Sequence, residues 1–171
     1  TVKTERGNVG DARINGIESL FDINIGNLLN SNYKFNTYIN FAYTKSLYIY
    51  SETNGIEGNE VEFTPRLNIK SGFNFGNNSH MGNIQFSYMS KQFTDASNAI
   101  ESDITGIIGG IPSYHIMDIS YKTQFNICTL YFGINNVTNN SYFTRRASGY
   151  PGPGIIPSQG RNYYVTCQIK L

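Results

Sequence analysis

Arg145 and Arg146 stand side by side in a long polar segment, 136–160, and Arg161 follows directly after it. A guanidinium presents a planar fork of donors that matches the geometry of a carboxylate. Two on one loop would suit an anion rich in carboxylates. The competing role is structural: pairing with loop acids such as Asp95 or Asp103, or holding the loop against its scaffold. Tyr142 and Phe143, just upstream, add flat aromatic faces that could stack on a ligand, against the plainer role of a rim contact.

Other polar clusters carry less. Glu52, Glu57, Glu60 and Glu62 crowd the segment 51–65, but they lack the ligand spacing of a calcium loop, so a solvated acidic loop is expected. Nothing places two carboxylates in a closed pocket for acid–base work, and no Ser/His/Asp set is in evidence. No catalytic residue is therefore assigned. The run 149–154 alternates Gly with Tyr and Pro, yet it lacks the Lys-Ser/Thr ending of a phosphate loop and opens no helix. Its prolines fix φ while its glycines allow positive φ, which makes a rigid turn. His80 and His115 are isolated, and Cys128 and Cys167 form no CxxC pair. No metal site or cofactor is expected from that inventory.

These residues must be positioned by strands. The chain has 171 residues, 13 Lys+Arg against 12 Asp+Glu, and a formal charge of +1. Nothing in that balance suits a phosphate-tracking surface, so no nucleic-acid partner is expected. Aromatics make up 14% of residues, all Tyr and Phe, and there are 17 Gly. Tyr and Phe favour strands; Gly and Asn favour the turns between them. No apolar run reaches the roughly 18 residues of a membrane helix. Alternation with a period of two recurs instead. Ile17, Ser19, Phe21, Ile23 and Ile25 share one face, while Glu18, Leu20, Asp22 and Asn24 share the other. Phe35, Ile39, Phe41 and Tyr43 alternate with Lys34, Asn36, Asn40 and Thr44. Further runs lie near 67–75, 84–89, 115–125, 128–134 and 163–171. About seven strands are expected, and no helical period is found.

Most runs reach the roughly 9–11 residues that a tilted strand needs to cross a bilayer, longer than the 5–6 of a soluble strand. Short connections (27–32, 76–79, 126–127) alternate with long polar ones (51–65, 91–112, 136–160). Outer-membrane barrels show that rhythm, with short periplasmic turns and long extracellular loops. The fold class is thus all-β: antiparallel, up-and-down transmembrane barrel strands. Phe35, Ile39 and Phe41 should face lipid, whereas Glu18, Asp22, Lys34 and Asn36 should face a wet lumen. Tyr48, Tyr50, Tyr88, Tyr114 and Tyr163 fall near strand ends, where an aromatic girdle would lie. Cys128 and Cys167 fall on the apolar faces of the last two strands. A disulfide demands narrow geometry, so free thiols acting as small hydrophobes are expected. Seven strands cannot close a single-chain bacterial barrel, which has an even number. The chain is expected to be a piece of something larger.

The closing segment carries a family resemblance. Gly133, Ile134, Asn135, Asn136, Val137 and then Tyr142-Phe143 resemble the G-x-x-N-L-F/T-D/N-x-x-Y signature near the end of TonB-dependent receptors. The stretch from Tyr142 through Arg145, Arg146, Gly149, Pro151 and Pro153 to Pro157, followed by Gly160, Arg161, Tyr163 and Tyr164, looks like receptors of the ferric dicitrate type. Earlier, Asn8, Gly10 and Arg13 with Gly16 and Glu18 resemble the opening of a barrel strand in this family. Thr64-Pro65-Arg66 matches a later strand entry. Gln92 to Ala96 and Gly109 to Tyr114 also fit the family's late barrel. Val137 departs from the usual Leu, and Leu171 stands where an aromatic residue usually ends the barrel.

The resemblance implies that residues 1–171 are the C-terminal part of a larger barrel of about 22 strands. A plug domain and a TonB-contacting segment would precede them and lie outside this chain. It implies an outer-membrane receptor, embedded in lipid, that takes up a ferric chelate, with ferric citrate the best match, and works with TonB through the missing N-terminal region. Arg145, Arg146 and Tyr142 are then the candidate ligand contacts. The alternative is a self-contained small outer-membrane barrel with a structural or adhesin role.

Overall fold

The computed structural model describes residues 10–149 and 152–170. Asn8 of the strand-opening motif, Tyr150 and Pro151 of the Gly-Pro turn, and the final Leu171 lie outside the described residues. Seven strands form one sheet: β1 (Gly10–Asn24), β2 (Lys34–Ser51), β3 (Leu67–Gly76), β4 (His80–Met89), β7 (Tyr114–Phe125), β8 (Cys128–Asn135) and β11 (Asn162–Ile169). They pair antiparallel with their neighbours in chain order. Two hairpins stand in the long connections. They are β5 (Gln92–Phe93) with β6 (Gly110–Ile111), and β9 (Phe143–Ala147) with β10 (Gly154–Pro157). The sheet is open: β1 and β11 each have one edge unpaired among the described residues.

The seven expected strands are present, with two changes at their ends. β1 stops at Asn24, and Ile25 opens a single helical turn, α1 (Ile25–Leu28), instead of continuing the strand. The Asn24 side chain accepts from the Asn27 N–H at 3.0 Å, a local bond that competes with the ladder and turns the chain. β2 runs 18 residues, to Ser51, well past the expected end near Thr44. At about 3.3 Å per residue it is roughly 60 Å long, about twice the hydrocarbon thickness of a bilayer. Its upper part stands clear of any such layer.

The register makes the two faces explicit. One row across all seven strands reads Ile23, Thr37, Phe73, Ile84, Ile119, Ile134, Tyr163. The adjacent row, on the opposite face, reads Asn24, Asn36, Asn74, Asn83, Ser120, Gly133, Tyr164. Phe35, Ile39 and Phe41 share the apolar face, while Glu18, Asp22, Lys34 and Asn36 share the polar one, as expected. The proposed girdle divides. Tyr88 and Tyr163 lie on the apolar face, but Tyr48 and Tyr114 pair on the polar side, opposite Ala12 and Met89. An irregularity in the β1–β2 pairing, where Asp11 pairs Tyr50 and Ala12 pairs Tyr48, resets the alternation near the top of β2.

Where the core sits is unusual. Among the described residues the buried hydrophobic side chains are Phe93 and Ile111, the latter 1% exposed, and both belong to the β5–β6 hairpin in a connection. The sheet itself covers neither face: Phe21, Ile39, Phe132 and Val165 all stand exposed on the apolar side. A water-soluble surface rarely carries so large a continuous apolar area.

Candidate functional site

The short turns lie at one end of the sheet and the three long connections at the other. At the short end, Asn126 adopts φ +47° in the two-residue turn before β8, the left-handed conformation that tight hairpins need. Asn77 similarly holds its turn by accepting from the N–H groups of Ser79 and His80, both at 2.9 Å.

At the other end the long connections bind each other. The segment 52–66 is zipped to the segment 90–113. Glu60 N–H donates to Asn98 Oδ1 at 2.7 Å, Asn98 Nδ2 donates back to the Glu60 carbonyl at 2.8 Å, and Asn59 Nδ2 donates to the Ala96 carbonyl at 2.9 Å. Of the four clustered glutamates, Glu60 pairs with Arg66 at 2.6 Å and Glu62 accepts from the Tyr48 hydroxyl at 2.6 Å. The cluster is therefore partly used to hold the connection to β2 and β3.

Arg146 joins the third connection to the second. Its Nη1 donates to the Gly106 carbonyl at 2.9 Å and its Nη2 to the Gly110 carbonyl at 3.0 Å. The guanidinium also lies 5.3 Å from the centre of the Phe143 ring, within cation–π range. The Gly106 carbonyl is presented by a turn built on Asp103. That carboxylate accepts from Thr105 Oγ1 at 2.5 Å and from the Ile108 N–H at 3.0 Å. The Thr105 hydroxyl, foremost, and the backbone N–H groups around it hold the Asp103 carboxyl below the ordinary aspartate value, against a smaller opposing effect of burial.

The three candidate contacts thus take different places. Side chains alternate along β9, so Arg145 points away from the loop that Arg146 grips, and it is exposed. Tyr142 is half-buried and its ring stacks on Tyr114 with centroids 4.8 Å apart. Arg161 is exposed at the entry to β11, its N–H donating to Asn139 Oδ1 at 3.0 Å. Asp95 is occupied with Ser97 instead of an arginine.

Asn136 is a residue whose physical role sequence reasoning missed. It is 2% exposed and adopts φ +51°. Its side chain donates to the Asn140 carbonyl and accepts from the Asn140 N–H, each at 2.9 Å, while its own N–H donates to Asp118 Oδ1 at 2.8 Å. An amide that both donates and accepts, on a residue tolerant of positive φ, explains Asn at this place in the motif. Gly133 has an equally local reason. The Tyr164 ring lies across it on the polar face, where an added Cβ would collide with that ring.

A family model described as TonB dependent receptor-like, beta-barrel, matches residues 2–137. No curated protein matches. Among solved structures, the ferric citrate transporter FecA in its unliganded form superposes with a TM-score of 0.82 at 23% identity, over 94% of this chain and 24% of that one. The ferric yersiniabactin uptake receptor FyuA from Yersinia pestis gives 0.74 at 19% identity, over 95% and 24%. The siderophore receptor PiuA from Acinetobacter baumannii gives 0.69 at 19%, over 94% and 22%. At these identities the likeness is one of fold, and the chain spans about a quarter of each structure's length.

Proposed function

The chain belongs to the TonB dependent receptor-like β-barrel family, and on that premise we propose that it forms wall and outer loops of a bacterial outer-membrane receptor for a ferric chelate. Members of this family and the structural neighbours are receptors and transporters, not enzymes. Residues 1–171 would be the C-terminal part of the barrel. The plug domain and the segment that meets TonB would lie outside them.

The observation that carries the proposal is the contrast between the two faces of a sheet that has no core of its own. The row Ile23 to Tyr163 needs an apolar surround, and the row Asn24 to Tyr164 needs water. Lipid on one side and a wet lumen on the other meet both needs. The linked long connections would then stand outside the cell, with the short turns in the periplasm.

For the substrate, ferric citrate is the first choice. FecA is a ferric citrate transporter, FyuA a ferric yersiniabactin uptake receptor and PiuA a siderophore receptor. Ferric citrate is an anion rich in carboxylates, for which exposed Arg145 offers a fitting donor fork. Arg146 would shape the same wall by gripping the neighbouring loop, and Tyr142, stacked on Tyr114, would line it. Growth on ferric citrate as sole iron source, with and without the intact gene, tests the assignment. Growth that does not depend on the gene would count against ferric citrate as substrate.

A further inference from the structure

Cys128 opens β8 and Cys167 stands near the end of β11. The register pairs Cys128 with Ile169 and Leu130 with Cys167, so the two thiols are diagonal neighbours on the apolar face. Their sulfurs are 3.4 Å apart. That is about 1.4 Å more than a disulfide bond length, so the bond forms when the two side chains rotate and the strand ends draw together. Both sit near the end of the sheet with the short turns: Cys128 directly follows Asn126–Ile127, and Cys167 lies level with Leu130, two residues further along β8. There the Lys170 N–H also donates to the Ile127 carbonyl at 2.9 Å and holds the end of β11 against the turn.

We propose that Cys128 and Cys167 are a modification site: a thiol pair that is oxidised to a cross-strand disulfide joining β11 to β8. The placement of the short turns in the periplasm rests on the receptor reading above, and disulfides form and persist in that compartment. The chemistry is an exchange with a disulfide-bearing oxidoreductase. One cysteine thiolate attacks the oxidant's disulfide and forms a mixed disulfide. The second thiolate then displaces the oxidant, which leaves as a dithiol. The receptor loses two protons and two electrons; the oxidant gains the electrons. The cross-link closes a segment of the chain that includes the whole connection carrying Arg145 and Arg146. It also fixes β11 to β8 at the short-turn end of the sheet.

The test is peptide mapping of the full-length receptor, taken from outer membranes in denaturant with excess alkylating reagent. The expected result is a linked pair of peptides containing Cys128 and Cys167, lighter than their sum by two hydrogens and separated by reductant. In a Cys128→Ala receptor, Cys167 should take the alkyl label without reduction. Label on both cysteines of the unmodified receptor before reduction would overturn the proposal, as would a bond from either one to a different thiol. Iron uptake is a separate readout. A reduced but transporting receptor would remove the disulfide alone, and a cross-linked receptor that moves no ferric chelate would remove the transport reading alone.

Discussion

Arg146 donates from Nη1 to the carbonyl oxygen of Gly106, 40 residues away in the chain and 2.9 Å away in space. With the second bond to Gly110, this side chain couples two outer loops. Arg146→Ala should loosen the turn at 103–110. Hydrogen bonds from a charged donor contribute roughly 1.5–3 kcal/mol, so amide exchange there should rise about tenfold or more. Arg145→Ala should leave that exchange unchanged and weaken ferric citrate binding by about tenfold. Equal effects of the two substitutions on both readouts would contradict the division of roles.

The Asp103 turn predicts a pH dependence for the same loop. A carboxyl held below its usual value favours the ordered turn above the ordinary aspartate range, about pH 4, and that contribution is lost as pH falls through the lowered value. Protection from exchange at 103–110, taken relative to the intrinsic amide rate at each pH, should therefore fall on acidification. Asp103→Asn should show low protection at every pH. An Asp103→Asn loop with the same pH profile as the original would rule out this carboxylate as the titrating group.

Gly133 and Tyr164 predict a compensating pair. Gly133→Ala puts a methyl where the Tyr164 ring lies, so that exposed ring must swing off the strand and lose its contact there. Thermal unfolding in detergent should show a lower Tm for Gly133→Ala. Tyr164→Ala should restore part of the loss when combined with it. A double variant no more stable than Gly133→Ala would place the strain elsewhere.

The strand order was legible in the sequence because alternation, strand length and connection length are each written locally. Phe35, Ile39 and Phe41 repeat at a spacing that only an extended chain turns to one face. The loop architecture was not legible. The Arg146 partners are main-chain carbonyls of Gly106 and Gly110, and no residue type announces a carbonyl as an acceptor. The acids Asp95 and Asp103 were the visible alternatives, but Asp103 is satisfied within its own turn and Asp95 turns Oδ2 to Ser97, leaving Oδ1 buried without a hydrogen-bond partner. Tyr48 and Tyr114 do lie near strand ends, but parity puts them on the polar face: Tyr48 is in unbroken register with Lys34 and Asn36, and Tyr114 pairs with Met89.

The two faces predict opposite tolerance of charge. Ile84 lies mid-strand on the apolar face and Asn83 on the polar one. In the full-length protein, Ile84→Arg should destabilise the barrel by about 2–4 kcal/mol, whereas an arginine on the lumen side carries no such cost. Outer-membrane recovery and Tm should fall for Ile84→Arg and hold for Asn83→Arg. The reverse order would invert the assignment of faces.

Uptake of labelled ferric citrate by iron-starved cells tests the central claim most directly. It would be measured with the intact gene, with the gene deleted, and with the gene intact but TonB absent. The receptor account predicts accumulation only in the first case. Accumulation that is unchanged by deleting the gene, or unchanged by removing TonB, would contradict it.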